Sequence, residues 1–368
     1  MKNKKLKIVW ISYCPYSLYI EFFNSLGKFL DLDLIMLLSK KFLRRKIKNK
    51  NFNIIFNDVI DLANFRYFKN LEKKLKTLKP NIVISNLIYN VFTWQAFYFC
   101  KKNNIPFFIA TEIKNNQKNI FKKIITKFLD KIIVKKMLSN SNLILPWTQS
   151  SRNYLLNNFK IDDDKIIYFP IGIDTNNFYL NKQKHFILNK KIKLLVIARM
   201  VSNKDYDTLL KAIKYIKDNY FFDFQLDLLG EGSLKNKIKR IINDYKLKNE
   251  VNFLNRVTYS QIKNIYDNHD VLILPSYKEP IGRVVPEAMA CGLPVIVSDL
   301  VGTKDYIIEG KNGLIFKARD YKDLANKILS ISNMDLKKMG KNASEHILKN
   351  FEINKVAKDF YKIIKNTK

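Results

Sequence analysis

Short apolar runs bounded by turns alternate with longer amphipathic stretches along the whole chain. In the first half the runs are Lys7 to Ser12, Leu32 to Leu38, Ile82 to Ser85, Phe107 to Ala110, Leu143 to Pro146 and Ile166 to Phe169. Runs of this length with few charges predict strands buried on both faces, and the helical stretches between them predict parallel crossovers. The pattern restarts at Leu194 to Ala198 and continues through Gln225 to Leu229, Val251 to Leu254, Val271 to Pro275, Val295 to Ser298 and Gly313 to Phe316. The expected fold class is α/β: two doubly wound units, residues 1–184 and 185–350, hinged in the polar, basic stretch Asn181 to Lys191. Phe351, Val356, Phe360, Ile363 and Ile364 fall on one helical face, so residues 351–368 predict a terminal docking helix.

Composition changes this picture only in its charge. With 368 residues, 47% of them apolar and 27% charged, the chain is an ordinary globular one, long enough for two cores. Lys and Arg number 66 against 33 Asp and Glu, and the net charge of +33 predicts attraction to something anionic. Nucleic acid, a phosphorylated ligand and an acidic membrane face all qualify, and a compositional bias toward lysine is the bland alternative. Cys14, Cys100 and Cys291 are odd in number and far apart, which argues against disulfides and paired-cysteine zinc and fits a reducing, cytoplasmic interior. Met1 to Ile11 alternates like a strand and lacks the marks of a signal peptide. The longest uncharged stretch, Asn81 to Cys100, holds too many polar groups for a lipid-facing helix, so no transmembrane span is expected.

The chemistry concentrates between Val271 and Gly313. A buried strand leads into the loop Ser276 to Ile281, and Gly282 opens a helix that ends at Gly292. Free N–H groups and the positive end of that helix, near Gly282 and Arg283, favour an anionic group, and glycine lets it come close. Glu279 and Glu287 can both face the crevice at the strand ends, where a carboxylate accepts hydrogen bonds from a sugar diol. Arg199 follows one strand and Lys204 precedes the next helix, so two cations can converge on the same crevice and hold a diphosphate. Gly230-Glu231-Gly232 permits close ligand approach but lacks a full dinucleotide fingerprint.

Together these segments resemble the large retaining glycosyltransferase family four, which has the GT-B architecture of two facing Rossmann-like domains. The resemblance rests on Arg199 with Lys204, Gly230-Glu231-Gly232, Leu254-Asn255-Arg256-Val257, and Glu279-Pro280-Ile281-Gly282 through Glu287-Ala288-Met289-Ala290-Cys291-Gly292-Leu293-Pro294-Val295-Ile296. Gly302 to Gly313 continues it, and Phe169-Pro170-Ile171-Gly172-Ile173-Asp174, with Phe178 beyond, looks like the family's turn before the interdomain linker. The resemblance implies an acceptor-binding first domain, a donor-binding second domain and a terminal helix docking back on the first. It implies that Glu287 holds the nucleotide ribose, Glu279 the donor-sugar hydroxyls, and Arg199 and Lys204 the diphosphate. It also places Arg256 and Val257 near the base, and Ile281, Gly282 and Arg283 beside the phosphate and sugar. The implied donor is a UDP- or GDP-linked sugar, the implied chemistry is hexosyl transfer with retention, and no cofactor and no metal are expected. Three departures stand out. The first loop, Ser12-Tyr13-Cys14-Pro15-Tyr16-Ser17, has no glycine, Ile281 replaces a usual phenylalanine, and Glu112 stands where many members have histidine. Glu112 is thereby a candidate contact to either sugar.

Asp31/Asp33, Asp162/Asp164 and Asp205/Asp207 form short acidic pairs, but none lies at a strand end that the other motifs support. His185, His269 and His346 are read as structural, since nothing pairs them with a nucleophile. Charge suggests the acceptor side. From Lys118 to Leu138 apolar pairs recur every four or five residues with lysines between them, as in a helix lying in an anionic lipid interface or in a core helix with a basic outer face. Lys40, Lys41, Arg44, Arg45, Lys46, Lys48 and Lys50 make a second basic cluster. The expectation is a cytoplasmic enzyme, peripheral on the inner membrane face, that glycosylates a saccharide or lipid-linked acceptor in bacterial cell-surface polysaccharide, lipopolysaccharide or glycolipid synthesis. A same-fold epimerase or phosphorylase, and a basic nucleic-acid-binding protein, are the competing readings. The chain shows no nucleic-acid module, so no nucleic-acid partner is expected.

Overall fold

The computed structural model describes residues 5–12, 17–36, 51–56, 59–62, 65–86, 88–111, 130–181 and 191–367. The chain forms two units: Met1–Gly172 with Ile353–Lys368, and Ile173–Glu352. The passage into the second unit thus precedes the polar stretch expected to hinge the units, of which residues 182–190 lie outside the described residues. Ile173 and Phe178 explain the position. Both are buried in the second core, and the Ile173 amide donates to Phe351 O at 2.8 Å.

The first unit holds β1 (Lys7–Ser12), β2 (Asp31–Met36), β3 (Asn53–Phe56), β4 (Val59–Leu62), β5 (Phe65–Phe68), β6 (Ile82–Asn86), β7 (Phe107–Thr111) and β8 (Leu143–Pro146). Six of them make a sheet in the order β3-β2-β1-β6-β7-β8, every neighbouring pair parallel. β4 and β5 form a separate antiparallel ribbon. Two expectations change here. Ile166 to Phe169 is not a strand; it joins the sheet through a single bridge to Ile144, and although the Phe169 amide donates to Pro146 O at 2.9 Å, Pro146 has no amide hydrogen to return a bond, so the ladder stops. The sixth strand is instead β3 at the opposite edge, paired with β2.

The second unit holds β9 (Ile192–Ile197), β10 (Phe224–Leu229), β11 (Val251–Phe253), β12 (Val271–Leu274), β13 (Val295–Ser298) and β14 (Gly313–Phe316), in the order β11-β10-β9-β12-β13-β14, again all parallel. Val, Ile and Leu fill the central strands, and β12 and β13 are buried along their full length. That pattern fits a sheet covered by helices on both faces. Each sheet reverses its winding once, between β1 and β6 in the first and between β9 and β12 in the second. Ligands bind at such points, outside the carboxyl ends of the strands.

The terminal helical stretch is two helices, Leu336–Phe351 and Ile353–Asn366, broken at Glu352, whose backbone is extended. Phe351 stays with the second unit and stacks on Tyr306 at 3.9 Å between centroids. The last helix packs on the helix Ser17–Gly27 of the first unit, where Phe360 meets Trp10, Phe22 and Phe169. The amphipathic spacing of Val356, Phe360 and Ile364 thus buries an apolar stripe, as the docking-helix expectation requires.

Among the described residues no helix is long and apolar enough to cross a membrane. Glu112, the cluster Lys40 to Lys50 and residues 118–129 of the basic stretch lie outside the described residues. The described end of that stretch has a wide π turn, Asp130–Val134, followed by the short helix Lys135–Ser139. Val134, Met137 and Leu138 there are core residues of the first unit, and Ile132 is exposed.

Candidate functional site

β9 and β12 are sheet neighbours, and the loops leaving their carboxyl ends carry the charged residues singled out above. These loops are pinned together by backbone and amide groups. The Tyr277 amide donates to Asn203 O at 3.1 Å, and Asn203 Nδ2 donates to Lys278 O at 2.8 Å. On its other side the motif loop is sewn to the chain after β13. Gly302 N donates to Glu279 O and Thr303 N to Ile281 O, both at 2.8 Å, while Thr303 Oγ1 donates to Gly282 O at 3.1 Å. Gly282 has φ +79°, and a β-carbon there would come within 2.8 Å of Val301 and 2.9 Å of Leu274, so only glycine fits. Val284–Ala290 then forms a short helix with Glu287 in its first turn.

Lys204 Nζ and Glu279 Oε2 form an ion pair with both side chains largely buried. Burial, and next the positive charge of Arg199, push the Lys204 ammonium down to about 8, while the carboxylate works in the opposite direction. Arg199 itself is exposed and makes no ion pair among the described residues. Lys204 and Glu279 are thus brought together, with the charge of Arg199 felt at Lys204.

Glu287 is placed differently from the expectation that it lines an open crevice. It is 3% exposed. Its Oε1 lies 2.6 Å from Arg283 Nε and accepts from Tyr259 OH at 3.5 Å; its Oε2 accepts from Tyr266 OH at 3.2 Å. Arg283 Nη2 also donates to Tyr259 OH at 2.9 Å, and the Tyr259 ring packs edge-on against buried Phe178. Burial raises the Glu287 carboxyl above its usual range, opposed by Arg283 and the tyrosine hydroxyls. Burial likewise holds the Tyr266 phenol well above its usual range.

The glycines at 230 and 232 find their reason in packing. A β-carbon on Gly230 would strike Ala198 O at 1.9 Å, and one on Gly232 would strike Met200 O at 2.4 Å. The close approach is thus to the backbone that carries Arg199, and the amide of Met200 donates to Glu231 O at 2.9 Å. Arg256 is exposed and Val257 half-buried, in the coil after β11. Sequence reasoning missed Asn203, Thr303 and Tyr259. For Tyr259 a signal existed: Thr258 and Gln261 form a capping box that starts a helical turn at this tyrosine. It also missed Arg319, which lies over the Tyr277 ring at 3.9 Å.

Several of the remaining candidates are occupied structurally. Asp33 takes Lys7 at 3.3 Å and Asn53 at 2.9 Å, and Asp205 accepts from Thr208. His269 bridges Asp227 and Ile265 O, and His346 contacts Asn350 and Phe351. Burial lowers His346 below the usual histidine range. His185 lies outside the described residues. Cys100 and Cys291 are buried and lie in no disulfide, and burial pushes the Cys100 thiol far up.

The family described as glycosyl transferases group 1 matches residues 178–346, nearly all of the second unit. An uncharacterized glycosyltransferase of Methanocaldococcus jannaschii is 25% identical over 77% of this chain and 81% of its own length. The poly(ribitol-phosphate) alpha-N-acetylglucosaminyltransferase of Staphylococcus aureus is 30% identical over 60% of this chain and 44% of its own length. The structure of HepE from Anabaena in complex with UDP is 14% identical, with a TM-score of 0.78 over 98% of this chain and 100% of that one. Two six-stranded Rossmann-like sheets, with this likeness across both units, define the GT-B fold. Fold and family match together support a glycosyltransferase.

Proposed function

We propose that the protein is a retaining, metal-independent glycosyltransferase that moves a sugar from a nucleoside-diphosphate donor to a saccharide or lipid-linked acceptor of a cell-surface polymer. The observation that carries this reading is the convergence of Arg199, Lys204 and Glu279 where the second sheet reverses, inside the region matched by the family. Breaking the sugar-phosphate bond leaves a nucleoside diphosphate. Two fixed cations beside it stabilise the growing negative charge, often the largest single catalytic contribution. Arg199 is free to meet the diphosphate directly, while Lys204 must share its charge between Glu279 and the phosphates. Glu279 then turns to the sugar hydroxyls, and the acceptor hydroxyl attacks from the face the diphosphate leaves. UDP in HepE and the poly(ribitol-phosphate) acceptor named for the staphylococcal relative favour a uridine donor and a polymer acceptor here.

On the same reading the enzyme works at the inner membrane face through its basic residues, and Glu112 is a candidate contact to the sugars. The test is a thermal-shift and turnover panel of uridine, guanosine and adenosine diphosphate sugars, with and without chelator. Stabilisation by one donor that survives chelation, release of diphosphate and a product of retained configuration are expected. An inverted product, or activity lost to chelator and restored by a divalent ion, overturns the corresponding part.

A further inference from the structure

Glu287 presents a contradiction that the ribose reading must resolve. A carboxylate offers about four acceptor positions, and three side chains already reach this one in a pocket that leaves it 3% exposed. Tyr266 is fully buried and holds Oε2 from the inner side. Arg283 and Tyr259 are the partly exposed neighbours, so a ligand arriving from solvent meets these two first. They are not equal. Arg283 lies 2.6 Å away with opposite charge, whereas the Tyr259 hydroxyl stands at 3.5 Å, the outer limit of a hydrogen bond. The same hydroxyl already has a second partner, since it accepts from Arg283 Nη2 at 2.9 Å. It can leave Glu287 and keep that bond, with its own hydrogen turning to solvent from this half-buried side chain.

We propose that Tyr259 is a placeholder for a ribose hydroxyl. Its phenol occupies the position on Glu287 Oε1 that the nucleotide takes over, and donor binding exchanges one hydroxyl for the other. The Tyr259 ring keeps its place against Phe178, and its oxygen stays with Arg283. The exchange makes ribose recognition weaker than the carboxylate alone would give, because each hydrogen bond gained replaces one already made. It also keeps a buried carboxylate satisfied between turnovers. This proposal rests on the reading of Glu287 as the ribose residue, and the experiment separates the two.

Binding of UDP and of 2′,3′-dideoxy-UDP is measured by calorimetry on the full chain, with GDP and its dideoxy analogue run alongside. For Tyr259→Phe, the ribonucleotide is expected to bind roughly five-fold tighter than to the parent while the dideoxy nucleotide is unchanged. Tyr259→Leu, which removes ring and hydroxyl together, is expected to widen the ribo-to-dideoxy ratio in the same direction even where its overall affinity falls. A ratio that stays the same or narrows in both variants overturns the placeholder. Glu287→Gln is the control for the underlying reading. Loss of ribose discrimination there supports it, whereas full discrimination without the carboxylate, or no binding of any of the four nucleotides to the parent, sinks the ribose assignment itself.

Discussion

The two sheets share one strand order and differ in what stands at the point of reversal. Between β9 and β12 the structure places an ion pair, an exposed arginine and a buried carboxylate held by cation and phenols. Between β1 and β6 it places a neutral network. Trp10 Nε1 donates to Asn86 Oδ1 at 2.7 Å, Asn86 Nδ2 donates to Ser12 Oγ at 3.3 Å, and Ser85 and Thr93 share a hydrogen bond at 2.9 Å. Among the described residues the same topology thus supports a charged floor in one unit and an uncharged one in the other. Fold alone does not choose the ligand; the side chains at the strand ends do. A charged floor suits a diphosphate and a neutral one suits a polyol, which agrees with a donor in the second unit and a saccharide in the first.

The comparison can be broken most forcefully through the first unit. Phe360 is fully buried among three aromatic rings, so Phe360→Ala is expected to lose about 3–5 kcal/mol of stability, read from a denaturant melt. Nucleotide binding by the variant should survive at temperatures where it is folded. Loss of nucleotide affinity in the folded variant would deny that the charged floor works on its own. Arg199→Ala acts on the charged floor itself, and turnover should fall on the order of 10²-fold with little change in melting midpoint, because the side chain is exposed. A tenfold or smaller loss would remove Arg199 from the diphosphate.

A pH series sharpens the same point. Lys204 titrates near 8, and its charged form is the one that attracts a diphosphate. Affinity should therefore hold below pH 8 and fall as pH rises through that value, approaching about tenfold per pH unit for one proton. Lys204→Met should flatten the profile; an unchanged slope would assign it to another group. The smallest effect belongs to the neutral floor. Asn86→Ala opens one link of a buried network and should cost about 1 kcal/mol while raising the acceptor KM and leaving donor KM alone. A change in donor KM would blur the division between the two floors.

Legibility in the sequence followed the same divide. All six strands of the second sheet were readable, because each is a dense apolar run closed by a turn residue, and the charged motifs lie immediately beyond them. In the first unit Asn53–Phe56 has its three apolar residues, Ile54 to Phe56, set among lysines and asparagines, with no glycine or proline beside it to mark it off as a strand. Ile166 to Phe169 had the apolar content of a strand but meets β8 through one bridge. In the site, paired charges such as Lys204 and Glu279 could be anticipated as neighbours of one crevice. That Glu287 is enclosed by Tyr259 and Tyr266 could not, since a lone tyrosine reads as core until its hydroxyl partner is seen. Gly230 was legible as a close approach, yet what approaches it, the carbonyl of Ala198, is a property of the folded loops.

The break at Glu352 also sets an order of events in time. Residues 173–352 form one unit from a single continuous stretch, whereas the first unit needs Ile353–Asn366 to cover Trp10 and Phe22. As the chain leaves the ribosome at about 5–20 residues per second, the later stretch can complete its core first. The earlier one waits, with an aromatic seam uncovered, for Ile353–Asn366 to be made.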